Sequence, residues 1–153
     1  MSGGDIPQVP HPRTPVGGCA MPLVLWAAPQ DRYGVEVAAR LRYDAAEPYA
    51  AFLDCHINLP QPITWAFARS LLSAGALAPV GIGDVRVRPG SILGRPAVLI
   101  SLTGEHGTVH LWAAADDVQQ FLAHTRRIVD VGRESEHLDL DRLLQQLLDH
   151  PDA

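Results

Sequence analysis

At 153 residues, 47% hydrophobic and 19% charged, the chain has the size and composition of one globular domain and lies outside the disordered, collagenous and membrane classes. Its net charge of −5 argues against polyphosphate partners unless basic groups gather on one face. Two cysteines are too few for a disulfide scaffold.

All 12 basic residues are arginine, a bias that points to a GC-rich coding genome more than to a binding design. The charge is uneven: residues 1–90 carry seven Arg against seven acids, and residues 91–153 five against ten.

Residues 1–18 contain Pro7, Pro10, Pro12 and Pro15 with four glycines, and read as a flexible tail ahead of a domain over 19–153. VGGC at 16–19 looks like a lipoprotein box, but no apolar leader precedes it. CAMPLVLWAAP falls short of the ~20 residues that span a bilayer. Without a secretory leader the two cysteines are expected as free thiols, and the protein is expected in the cytoplasm.

Period-two alternation then marks strands with one buried face. Val35, Val37, Ala39, Leu41 and Tyr43 share one side, and Glu36, Arg40 and Arg42 the other. In LRYDAAEPYAAF at 41–52, the carboxylates Asp44 and Glu47 invite an acid/base reading. Turn chemistry is the better account: Asp44 ends a strand and Pro48 forces Glu47 out of the helical region. Ala51, Leu53, Cys55, Ile57 and Leu59 oppose Asp54, His56 and Asn58 in the next strand. Neighbouring strand residues face opposite ways, so Cys55 and His56 cannot form a dyad; a buried thiol and an exposed imidazole are expected.

Ile63, Trp65 and Phe67 form a third apolar row, which passes into a short helix through Arg69, Leu71 and Leu72, with Gly75 as its C-cap. Pro79, Gly81 and Gly83 break the pattern. Val85 and Val87 alternate with Arg86 and Arg88, AVLISL at 97–102 reads as a buried strand, and TVHLW at 108–112 as its partner across a Gly104–Gly107 hairpin loop. A helix follows with Asp116 as cap, Val118, Phe121, Leu122 and Val129 as its apolar stripe, and Arg126 and Arg127 at its end. Leu140, Leu143, Leu144, Leu147 and Leu148, behind Asp139 and Asp141, give a second helix whose stripe is expected to pack in the core. The sum is α+β: about seven antiparallel strands, one short helix and two longer ones. A run of strands ending in a helix occurs twice, once to Gly75 and once to Val129.

No catalytic apparatus emerges. GxSxG, HExxH, GxxxxGK[ST] and paired CxxC are absent, and GIGDVRV precedes a strand where a phosphate loop would follow one. His106 and His110 lack a third ligand at zinc spacing, so neither metal nor cofactor is expected. A hydrolase using His110 or His56 is the residual enzymatic reading. Arg86 with Arg88, and Arg40 with Arg42, form two basic rows. They are solvated sheet face on the plain view and candidate partner surface on the functional one. With Trp65, Phe67 and Tyr43 on apolar rows, no exposed aromatic platform supports nucleic-acid binding.

LRYDAAEPYA at 41–50, WAFARSLLSAG at 65–75, PVGIGDVRVRPG at 79–90 and EHLDLDRLLQQLL at 136–148 together resemble the SsgA-like proteins, actinomycete regulators of sporulation and cell division. The usual family pattern has Asp where Ser70 stands and Val where Ala51 stands, which marks a divergent paralogue. The resemblance implies a single whirly-like domain that forms a homotrimer and acts without catalysis. Its implied partners at septum sites are the tubulin-like division protein FtsZ, a paralogue or septal wall machinery. The alternative it raises is a single-stranded nucleic-acid-binding regulator of whirly-like fold.

Overall fold

The computed structural model describes residues 17–27, 34–138 and 140–149, the last stretch with side chains from Leu144 onward. The tail expected over 1–18 lies outside these residues except for Gly17 and Gly18, and Asp139 lies outside them too. Gly18 already opens the first strand.

The strands are β1 (Gly18–Ala27), β2 (Val35–Asp44), β3 (Ala50–Cys55), β4 (Ile63–Ala68), β5 (Val80–Ile82), β6 (Val85–Ile92), β7 (Arg95–Gly104) and β8 (Gly107–Ala114). Helix α1 (Arg69–Gly75) follows β4, α2 (Ala115–Ile128) follows β8, and a 3-10 turn at Glu134–His137 leads to α3 (Leu140–Asp149). All eight strands join one antiparallel sheet in the order β4-β3-β2-β1-β8-β7-β6-β5. The expected α+β class holds, with eight strands in place of about seven. The short β5 falls where Gly81 and Gly83 had suggested a break; Gly83, at φ 59, makes the tight turn that lets Val80–Ile82 pair back on β6.

The chain repeats one plan: four meandering strands, then a helix that starts without a connecting loop. Ala68 (φ −66, ψ 136) and Ala114 (φ −61, ψ 134) are the extended residues at the two strand-to-helix bends. Neither bend has a side-chain cap; Asp116 sits inside the first turn of α2, where its charge faces the helix dipole instead. Arg126 and Arg127 occupy the last turn, as expected.

The sheet curls so that its two edges approach. The Trp65 ring on β4 reaches toward Gly104 at the end of β7, and a groove of about 310 Å³ runs between Trp65, Phe67 and Leu71 on one side and Ile82 and Val85 on the other. Helix α1 packs on β4, β5 and β6 and bridges this seam. The inner face holds the core: Leu25, Ala39, Leu41, Leu53, Leu72, Ile100, Val118 and Phe121 are fully buried. Each large apolar side chain removed from water there contributes roughly 1.5–3 kcal/mol.

Three local expectations change. The strand read as far as Leu59 stops at Cys55, because His56 adopts φ 59 and Leu59 N–H donates back to His56 O in a turn. Gly75 is no left-handed cap; a Cβ there would lie 2.3 Å from Val87 Cβ, so glycine is what lets α1 lie against β6. Part of the α3 stripe is not core: Leu144, Leu147 and Leu148 are 56%, 59% and 77% exposed, while the side chains of Leu140 and Leu143 lie outside the described residues.

Candidate interaction surface

The polar residues of the 41–75 region converge on a structural knot. Tyr43, on the inner face of β2, donates its O–H to Pro48 O at 2.7 Å. Asp44 Oδ1 accepts from Ala46 N at 2.9 Å, and Asp44 O from Glu47 N at 2.9 Å, forming the turn expected there. Arg69 N–H donates to Tyr49 O at 2.7 Å, and its guanidinium lies over the Tyr43 ring. That guanidinium, 3% exposed, donates through Nη1 to Val129 O at 2.7 Å and, at 3.2 Å, to Thr125 O, which also accepts Val129 N–H at the end of α2. Nη2 faces Glu134 Oε2 at 3.2 Å, off the hydrogen-bonding direction, so this contact is ionic only. Glu134 Oε1 accepts from Gly132 N, and backbone hydrogen bonding with Arg69 nearby holds the carboxyl below its usual range. None of these groups lines the grooves found among the described residues.

Cys55 is buried, and burial with the nearby Asp54 charge pushes its thiol up to about 11, so it is inert. Cys19 stands opposite Tyr43 and Cys55 opposite Ala39, four residues apart along β2 or roughly 13 Å, too far for a disulfide.

The outer sheet face carries the remaining chemistry. Arg40 and Arg42 point outward from β2, as expected, but they are tethered. Asp54, directly opposite Arg40 on β3, accepts from Arg40 Nε at 2.9 Å, Arg42 Nε at 2.6 Å, Arg42 Nη2 at 3.0 Å and Thr64 Oγ1 at 2.6 Å. Burial alone would raise the Asp54 carboxyl, yet these hydrogen bonds outweigh it and hold the group at about 2. Asp54 was expected on the solvated side of its strand; it is 2% exposed, covered by the two arginines it neutralises. Arg42 also lies 5.1 Å over the Phe52 ring.

Arg86 and Arg88 point outward from β6 and are exposed. Among the described residues neither has a carboxylate partner. Arg88 sits 5.8 Å over the Trp112 ring. Trp112 itself lies flat across β6, since a Cβ at Gly90 would come within 2.8 Å of it. Four strand spacings, roughly 19 Å, separate β2 from β6, so the two arginine pairs are distinct patches. Between them stand Trp26 and Trp112, paired across β1 and β8 and half-buried. The expectation of no aromatic platform is therefore corrected. Trp65, Phe67 and Tyr43 do face inward or toward the seam, whereas Trp26, Trp112 and Phe52 face out; period-two alternation through β1 and β8 was the available signal.

His110 also points outward, with Nδ1 2.8 Å from Ser101 Oγ. His106 sits in the hairpin turn, away from it. Among the described residues no carboxylate lines the groove around the Ser101–His110 pair to orient the imidazole, and Ser101 lies mid-strand, so these residues form neither a triad nor an exposed nucleophile. Among the described residues no group of three metal-ligating side chains gathers, and no helix is long and apolar enough to cross a membrane.

The family model described as Streptomyces sporulation and cell division protein, SsgA, matches residues 37–134. The sporulation-specific cell division protein SsgB of Kineococcus radiotolerans is 39% identical over 147 residues, 94% of this chain and 86% of the relative. SsgB of Streptomyces coelicolor is 41% identical over 112 residues, 73% of this chain and 82% of the relative. A crystal structure of an SsgA-like sporulation-specific cell division protein from Thermobifida fusca superposes with a TM-score of 0.76 at 31% identity, covering 84% of this chain and 94% of that one. A solved structure from work linking mutations in SsgB to longitudinal cell division in sporulating Streptomyces coelicolor gives 0.75 at 36% identity, covering 78% and 94%.

Proposed function

This chain belongs to the SsgA family of sporulation and cell division proteins, and on that premise we propose that it acts without catalysis, as a cytoplasmic localisation factor at septum sites. There it recruits or positions FtsZ, a paralogue or septal wall machinery, and it associates as a homotrimer of whirly-like domains. The family match over residues 37–134 carries this reading. The geometry supports it, because Tyr43 and Arg69 are engaged in the fold while Arg86 and Arg88 are exposed on the outer face with no carboxylate partner among the described residues. A fluorescent fusion expressed during sporulation should form septal ladders, and a crosslinked pull-down should recover a division or wall-synthesis protein. A fusion that stays diffuse through septation, with no such partner recovered, overturns it.

One observation favours a second reading. Trp26, Trp112 and Phe52 on the same face as four arginines offer the stacking surfaces that single-stranded nucleic acid uses. A mobility shift with single-stranded DNA that weakens steeply with salt would support it; no shift at low salt retires it.

A further inference from the structure

The outer face near the β5 edge holds a groove of about 500 Å³ that the readings above leave without a ligand. Its volume falls in the range of small-ligand pockets. Register builds it from transverse rows of side chains: Gly81, Arg86, Ser101 and His110 stand opposite one another across β5, β6, β7 and β8. Thr103 and Thr108 form the row on one side, and Arg88 and Leu99 the row on the other.

The hydrogen-bond inventory of this groove is biased toward donation. Arg86 and Arg88 lie two residues apart on one face, about 7 Å, close enough for both guanidiniums to meet one anionic group. Ser101 Oγ and His110 Nδ1 share one proton at 2.8 Å. Whichever atom donates, the pair keeps one further donor, the Ser101 hydroxyl or the His110 Nε2–H. Thr103 and Thr108 hydroxyls lie 2.9 Å apart, and again one donates while the other retains a free O–H. Among the described residues no carboxylate lines the groove, in a chain of net charge −5. Gly81 brings no side chain across the floor, and the buried Leu99 packs beneath it.

We propose that this groove is a phosphate-monoester site, with Arg86 and Arg88 holding the dianion and the Ser101–His110 and Thr103–Thr108 pairs donating to its oxygens. Guanidinium forks match phosphate geometry, and a dianion with three terminal oxygens uses more of these donors than a carboxylate can. The site is independent of which division partner the protein meets.

The test is an NMR titration of the full chain with inorganic phosphate, phenyl phosphate and a phosphoserine peptide at fixed ionic strength. Saturable shifts at Ser101, Thr103 and His110 are expected. Binding should weaken about tenfold in Arg86→Gln and in Arg88→Gln and stay unchanged in Arg95→Gln, which lies outside the groove. Ser101→Ala gives a second, uncharged variant, also expected to weaken binding. Tighter binding of phenyl phosphate points to a free ester and tighter binding of the peptide to a phosphorylated protein; either supports the site. Absence of saturable shifts, equal response to acetate, equal binding by the Arg86 and Arg88 variants, or equal binding of an oligonucleotide lacking terminal phosphates overturns it. The titration reads ligand binding alone, so its failure leaves septal localisation standing, and a diffuse fusion would leave the groove standing.

Discussion

The Arg69 guanidinium lies 4.9 Å from the centre of the Tyr43 ring, and from there it ties the start of α1 to the end of α2. Sequence separations of 56 and 60 residues are closed by the bonds from Nη1 to Thr125 O and Val129 O. One side chain thus joins the first strand-and-helix run to the second.

Arg69→Ala should cost about 3–5 kcal/mol, because it leaves Val129 O without its buried donor, takes one of two donors from Thr125 O and removes the cation facing Glu134. Urea unfolding monitored by circular dichroism measures it. Arg69→Lys should recover little, since an ammonium cannot reach both carbonyls while stacking on the ring. A lysine variant as stable as the parent would show that charge alone suffices.

Tyr43→Phe keeps the ring beneath Arg69 and removes only the O–H bond to Pro48 O, so a loss of about 1 kcal/mol is expected. The Tyr43 hydroxyl is itself shifted up, first by burial, and should remain neutral through the alkaline range where free tyrosine ionises. Absorbance titration of the phenolate checks the second point.

Gly75→Ala introduces a better helix former yet should destabilise by about 1–3 kcal/mol, because the new methyl would overlap Val87. A thermal melt that rises instead would mean α1 can slide off β6 without penalty.

Asp54 supplies an acid-sensitive term. Its carboxyl is held at about 2 in the fold against about 3.9 unfolded, so its stabilisation is complete above about pH 5 and is lost as pH falls through about 4 toward 2. The shift corresponds to about 2.5 kcal/mol. Asp54→Asn should flatten the stability curve across that window; an unchanged curve would place the acid sensitivity elsewhere.

With its thiol at about 11, Cys55 carries a thiolate fraction of about one in a thousand at pH 8. It should resist iodoacetamide in the native protein and react fully in urea, as read by mass spectrometry. Rapid native labelling would reveal opening of the β3–β4 edge.

Much of the fold was legible because alternation reports which face of a strand is wet. It placed Leu41, Tyr43, Leu53, Val85 and Val87 inward, and the structure buries all five. The doubled strand-and-helix plan was visible for the same reason. Short segments with glycine were not: Val80–Ile82 is too brief to alternate, and its strand character depends on β6 beside it. The α3 leucines carried a period that reports amphipathicity without saying what lies opposite.

The candidate surface was half legible. Alternation pointed Arg40, Arg42, Arg86 and Arg88 outward, and it could not tell tethered from free. That difference depends on Asp54 standing opposite Arg40, a pairing across 14 residues set by strand register. Residue types and spacing by themselves determined most of the strands and their inner faces, the Asp44 turn and the family. Tertiary structure alone decided that Asp54 is buried, that Arg69 spans both halves, that Trp112 lies across Gly90, and that Arg86, Ser101 and His110 form one row. A side chain's face follows from its own strand's pleat, but its neighbours follow from register between strands, which no single segment encodes.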